Sequence, residues 1–203
     1  MREKILVATE SLLMETADEG SVSIRAIADA VGVSPPSIYL HFADKDDLIH
    51  EVCQQQFRRL DELVAETLGD VDEPLERLRR RGHAYVRFGV EHPEHYRIML
   101  MGKSHFDGTD YDEGTVPGLR SFMALVDNVQ ECMDAGLFAP GNPVVVATVL
   151  WAAVHGMTSL RIAVPSFPTF KDADGLLDHM LGALARGLAR PGDELQRGEP
   201  PSR

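Results

Sequence analysis

Residues 24–43 decide how the rest of the chain is read: Ile24-Arg25-Ala26-Ile27-Ala28-Asp29-Ala30-Val31-Gly32-Val33-Ser34-Pro35-Pro36-Ser37-Ile38-Tyr39-Leu40-His41-Phe42-Ala43. Ser23 precedes them and has the short hydroxyl side chain favoured as a helix N-cap. Residues 24–31 keep apolar side chains at helical spacing. Gly32 permits the positive φ that turns the chain. Ser34 stands as the cap of a further helix, with Pro35 and Pro36 in its first turn, where an N–H has no intrahelical partner. Ala28 is small enough for that helix to approach, and Ile27, Val31, Val33 and Ile38 fill the angle between the two. Two short helices meeting at a glycine in this way have the pattern of a helix-turn-helix, whose second helix enters the DNA major groove.

Outward from this stretch almost every long segment reads as helix, and strand alternation is nearly absent. Upstream, residues 3–17 carry the stripe Ile5, Leu6, Leu12 and Leu13 with Ala8 and Thr9 beside it, and Gly20 closes the helix. Downstream, Asp44 starts a helix to about residue 68, with Asp46 and Asp47 favourably placed in its first turn. A fifth helix begins near Pro74 and stops before Pro93. A sixth covers 93–101, and 102–115 is an acidic loop without calcium-loop spacing. The seventh covers 117–135, where Gly136-Leu137 reads as a C-cap glycine with its hydrophobic contact. The eighth opens at Asn142-Pro143 and runs to about 164, and the ninth covers 173–190. The tail 191–203 is expected to be disordered.

The chain has 203 residues, 44% hydrophobic and 26% charged, which suits a packed globular protein of one or two domains and excludes a mainly disordered chain. No run is expected to reach the ~20 apolar residues of a membrane span, the N-terminus does not read as a signal peptide, and no membrane partner is expected. Cys53 and Cys132 give no disulfide framework and suit a reducing cytoplasm. The net charge is −12, which argues against broad nonspecific binding to nucleic acid. Residues 1–50 hold four basic side chains, Arg2, Lys4, Arg25 and Lys45, against nine acidic ones, a net −5.

Ser34-Pro35-Pro36-Ser37-Ile38-Tyr39-Leu40-His41-Phe42, followed by Lys45, closely resembles the recognition-helix region of TetR-type (TetR/AcrR) transcriptional regulators, and residues 5–33 resemble that family's first two helices. His92-Pro93-Glu94-His95-Tyr96-Arg97-Ile98-Met99 and Trp151-Ala152-Ala153-Val154-His155-Gly156 resemble a C-terminal subtype named for its Trp-His-Gly motif. The resemblance implies an all-α fold of about nine helices: a helix-turn-helix DNA-binding domain over 1–47, then a ligand-binding and dimerisation domain over 48–190.

The same resemblance implies residue roles. Arg25 is expected to touch a phosphate or a base edge, and Ser37, Tyr39 and Lys45 to hold phosphates. Ser34, Pro35 and Pro36 face the bases. The prolines offer no polar group, so they contact thymine methyls or let the backbone come close. Base reading then rests on Arg25, Ser34, Ser37 and His41. Plainer roles stand beside these: Tyr39 packs its ring in the small domain, Ser34 spends its oxygen as an N-cap, and His41 is a bystander in solvent.

In the second half, the eighth helix is apolar nearly all round, which suits one face on the core and another on a partner. The ninth interleaves leucines with Gly182, Ala183, Gly187 and Ala189. Together, about 143–164 and 173–190 suit a four-helix bundle across a two-fold axis. Tyr85, Phe88, Met99, Phe122, Met123, Trp151 and His155 are candidate pocket residues for a flat, mostly apolar ligand with one acceptor or acid; each also reads as plain core. Arg77, Arg79, Arg80 and Arg81 read as a solvated face pairing with Glu73 and Glu76. His92 and His95 lack the further ligands of a metal site, so neither metal nor cofactor is expected. No catalytic constellation appears at convincing spacing. The expectation is a cytoplasmic, homodimeric repressor that binds a palindromic operator on double-stranded DNA and is released by a small effector. The alternative is a small-molecule-binding protein or small enzyme whose DNA-binding domain is no longer active.

Overall fold

The computed structural model describes residues 1–16, 19–100, 116 and 118–189. Among them are nine α-helices, two short 3-10 turns and no strand: α1 Arg2–Thr16, α2 Ile24–Val31, α3 Pro35–Ile38, α4 Lys45–Leu68, α5 Pro74–Glu91, α6 Pro93–Leu100, α7 Leu119–Asp134, α8 Pro143–Ala163 and α9 Ala173–Leu188. The expected acidic loop 102–115 and tail 191–203 lie outside the described residues.

Two compact units emerge. One comprises Met1–Leu63 with Glu91–Ser121, the other Val64–Val90 with Phe122–Arg203. α4 therefore starts in the first and ends in the second. The first unit closes on Ile5, Leu6 and Leu13 of α1, Ile27 and Ala28 of α2, Ile38, Phe42, and Leu48, Ile49 and Val52 of α4, with Ile98 of α6 packed against them. Its local signals act as their chemistry dictates. Ser23 accepts the Ala26 N–H at 3.2 Å, and Gly32 ends α2 at φ +76°. Asp44 Oδ1 caps α4 by accepting the Asp47 N–H at 2.8 Å. Gly118, also in this unit, combines φ +79° with the Phe57 ring in the place a Cβ would take.

In the second unit one core joins Leu78, Val126, Val129, Cys132, Met133, Phe138, Ala147 and Leu150; a smaller one joins Val86, Val154, Met157 and Leu177. α7 ends as the Gly136-Leu137 pair predicts: the Gly136 N–H reaches the Met133 carbonyl and the Leu137 N–H the Cys132 carbonyl, with Gly136 at φ +75°. Asn142 caps α8 through the Val144 N–H at 2.9 Å.

Several expectations are corrected. Gly20 does not close α1, which ends at Thr16, but sits in a 3-10 turn, Glu19–Ser21. A second turn, Pro168–Asp172, leads into α9, whose Asp172 cap accepts the Gly175 N–H. Glu73 does not pair with the arginines; its carboxylate accepts the Leu75 and Glu76 N–H groups at the start of α5. Arg79 and Arg80 share Glu76, and Arg77 pairs with Glu131 of α7 at 2.7 Å. Finally, α8, 21 residues long, is long and apolar enough to cross a membrane by length and composition, against the expectation that no run would be. One of its faces is buried through Ala147, Leu150, Val154 and Met157. Val145 (58% exposed), Val149 (47%) and Leu160 (55%) lie uncovered.

Candidate nucleic-acid interface and effector site

The helix-turn-helix presents a tip with one buried side. Ile38 and Phe42 enter the core, while Ser34, Pro35, Pro36, Tyr39, Leu40 and His41 are exposed and Ser37 is half-buried. Ser34 occupies the N-cap position of α3, yet its hydroxyl makes no cap bond. With Pro36 in place of an N–H donor two residues on, it pairs instead with the Ser37 hydroxyl at 2.9 Å. The expected capping role is thereby corrected. Leu40 is the tip residue that pattern reading passed over; its signal was an apolar residue two positions out of phase with the buried Ile38 and Phe42.

The four cations of residues 1–50 divide into two kinds. Arg2 pairs with Glu51 at 2.5 Å and lies 5.0 Å from the centroid of the Phe42 ring. Lys45 is half-buried, and its ammonium donates to the Glu19 carbonyl at 3.0 Å and the Val22 carbonyl at 3.2 Å. It fastens the start of α4 to the segment leading into α2. Lys4 and Arg25 are exposed and enter no ion pair among the described residues. Arg25 stands at the first turn of α2, free to reach an anion.

A partly buried polar junction ties three helices of the first unit. Glu10 of α1 accepts from His95 Nε2 of α6 at 2.7 Å and from Arg59 Nη1 of α4 at 2.8 Å. Burial alone pushes the Glu10 carboxyl up, but the His95 and Arg59 hydrogen bonds outweigh it and hold the pKa below its ordinary value. Thus His95, weighed as a metal ligand from sequence, instead serves a carboxylate, with the His92 ring 5.7 Å away edge-on. No group of three metal-ligating side chains occurs among the described residues.

In the second unit, four of the pocket candidates meet. Trp151 Nε1 donates to the Tyr85 hydroxyl at 3.1 Å, and that hydroxyl lies 3.3 Å from His155 Nδ1. The Trp151 ring centroid is 5.9 Å from Phe122 and 6.0 Å from His155. Burial pulls the His155 pKa below its ordinary value, so the ring is neutral near pH 7 and its Nδ1 can accept the Tyr85 proton. Phe88 is buried elsewhere in α5, Met123 is 39% exposed on α7, and Met99 is half-buried on α6 in the first unit. A cleft of about 390 Å³ opens elsewhere in the second unit, with Leu78, Phe138, Leu150 and Leu181 in its walls and Glu76, Arg79 and Asp178 at its polar side. None of the seven candidates lines it. Both cysteines are buried and free, with thiols pushed up to about 12 (Cys53) and about 11 (Cys132) by burial, the chemistry of inert core residues.

A helix-turn-helix carried near the start of an all-α chain marks a class of DNA-binding regulators. Residues 5–52 match the model of bacterial regulatory proteins of the tetR family, and residues 78–184, more than half of the chain, match that of a tetracyclin repressor-like C-terminal domain. The chain belongs to the TetR family of DNA-binding transcription regulators. It is 26% identical over 182 residues to the "Probable acrEF/envCD operon repressor" of Escherichia coli (strain K12), covering 85% of this chain and 82% of that one. Among solved structures, a protein with unknown function from Rhodococcus sp. RHA1 superposes with a TM-score of 0.76 at 26% identity, covering 93% of this chain and 95% of that one. A putative TetR-family regulator from Vibrio parahaemolyticus gives 0.71 at 21% identity, covering 94% and 99%.

Proposed function

We propose that the chain is a homodimeric transcriptional repressor of the cytoplasm that binds a palindromic operator and is released from it by a small, mostly apolar effector. The observation that carries the reading is the helix-turn-helix with Gly32 at its turn and an uncovered tip from Ser34 to His41, joined to a helical second unit. The E. coli relative, by its description a probable operon repressor, supports repression. DNA contact is assigned to Arg25, Ser34, Pro35, Pro36, Ser37, Tyr39 and His41, with Lys45 reaching a phosphate only if it leaves its carbonyls. The uncovered face of α8, with Val145, Val149 and Leu160, supports pairing with a second copy through α8 and α9. Two copies present two recognition elements to paired half-sites.

The effector site is assigned to the Tyr85–Trp151–His155–Phe122 group, where a neutral histidine and a phenol share one edge of an aromatic wall. The effector must bind the DNA-incompetent state more tightly; a thousandfold release takes about 4 kcal/mol of differential affinity. α4, common to both units, is the element assigned to carry the shift. No catalytic role is assigned.

The test is selection of duplexes from a random pool at low and moderate salt, with the oligomeric state read by sedimentation. An enriched palindrome with half-sites about one helical turn or more apart, bound by a dimer, is the expected result. Folded dimer with no enrichment at low salt overturns the reading. It would favour a ligand-binding protein whose helix-turn-helix no longer holds DNA, as the net −5 of residues 1–50 permits.

A further inference from the structure

Leu40 is 81% exposed, more than any other large apolar side chain described. The chain around it is still helically wound: Tyr39 has φ −68° and ψ −8°, and the His41 and Phe42 N–H groups both reach the Ile38 carbonyl, at 2.9 and 3.2 Å. At 3.6 residues per turn, Pro36 and Leu40 point within about 40° of one another, on the side opposite the buried Ile38 and Phe42. The outermost ridge of the tip is therefore apolar. The polar groups beside it are partly spent, because the Ser34 and Ser37 hydroxyls hold one another. No cation lies between Arg25 and Lys45, and Lys45 is on backbone carbonyls. The Pro36–Leu40 ridge itself offers no side-chain group that can hydrogen-bond a base edge. The apolar group that base pairs offer in the major groove is the thymine C5-methyl.

Resting on the DNA-binding reading above, we propose that Leu40, with Pro36 beside it, is a specificity-determining residue that reads thymine methyls in each operator half-site. The operator then carries thymine where Leu40 lands. Discrimination there comes from apolar contact rather than from an arginine or an amide side chain.

The selected duplex is remade with deoxyuridine in place of single thymines, which removes the methyl and leaves the hydrogen-bonding edge intact. Binding of wild type, Leu40→Ala, Leu40→Gln and Leu40→Met is compared by fluorescence anisotropy at fixed salt. At one or two thymines per half-site the wild type is expected to lose about fourfold in affinity per methyl, the equivalent of one buried methylene. Changing both half-sites is expected to cost about fifteenfold. Leu40→Ala and Leu40→Gln should bind the two duplexes alike, while Leu40→Met, still apolar and bulky, keeps the difference. Leu40 lies outside the core, so all three variants should melt as the wild type does; the Met and Gln pair keeps the comparison valid if Ala does not. A selected duplex whose affinity ignores every thymine methyl, or whose methyl dependence survives Leu40→Gln, overturns the inference alone. Failure to select any duplex overturns the DNA-binding reading and this inference with it.

Discussion

Serine and lysine, which the sequence offers as DNA contacts, turn out to differ in what they already do inside the chain. Ser23 and Ser34 both precede a helix, but only Ser23 accepts a backbone N–H. Ser23→Ala is expected to lower unfolding free energy by about 1 kcal/mol and Ser34→Ala to change it by less than about 0.5 kcal/mol, as urea melts would read. Equal losses would show that the Ser34–Ser37 pair does the work of a cap. Lys45 presents the larger contrast. Its two bonds to the Glu19 and Val22 carbonyls are charge-assisted, so Lys45→Ala should cost stability, on the order of 1.5–3 kcal/mol. A loss of DNA binding in that variant does not by itself show a phosphate contact. Arg25, exposed and without an ion pair among the described residues, is the cleaner probe. Arg25→Ala should melt as the wild type and bind the operator about thirtyfold more weakly or worse, since the dimer loses two arginine contacts of about 1–3 kcal/mol each. An Arg25→Ala protein with undiminished affinity removes Arg25 from the interface.

At the scale of elements, the Glu10 junction makes α1, α4 and α6 answer to one carboxylate. Its pKa is lowered in the folded chain, so its stabilising contribution is complete above the unfolded value near 4.5 and is lost as pH falls through the lower folded value. Glu10→Gln should therefore be less stable than wild type at pH 6–7, and the gap should close as pH is lowered below about 4.5. A gap constant with pH would mean that shape and not charge holds the junction. Nothing in the sequence pointed there: Glu10, Arg59 and His95 are far apart in the chain, and each alone reads as a surface residue of its helix. Helix positions, by contrast, were legible, because Ser23, Gly32, Asp44, Gly136 and Asn142 act on neighbours within five residues. The 3-10 turn at 168–172 was not, since Pro168 and Asp172 read equally well as loop and cap. The aromatic group was half legible. Trp151 and His155 share a helix face by spacing alone, but that Tyr85 completes them, while Phe88 sinks into the core, depends on how α5 is rotated against α8, which no local pattern encodes.

Charge acts at the scale of the whole molecule, and here the chain is an unusual DNA binder. It carries −12 overall and −5 in its first 50 residues. Two of the four cations there are occupied, Arg2 by Glu51 and Lys45 by carbonyls. Lys4 and Arg25 remain, with hydroxyls and backbone N–H groups that hold phosphate without displacing many counterions. About 2–4 neutralised phosphates per subunit follow, against the 6–10 contacts of strongly salt-dependent binders. For a dimer, log K against log salt concentration should fall with a slope of about −4 to −7. Fluorescence anisotropy on the selected duplex between 50 and 200 mM salt, as about a fourfold change in ionic strength, reads this directly. A slope near −10 would require more cations than the free chain has available. The Arg2–Glu51 pair and the Lys45 clamp would then have to open on the duplex, and DNA binding would loosen the fastening between α4 and the segment before α2. In that case Lys45→Ala, already without the clamp, should show a shallower slope than wild type by about 2 units for the dimer, one per subunit. With a wild-type slope of −4 to −7, the clamp stays shut, and Lys45→Ala should leave the slope unchanged while lowering the melting temperature.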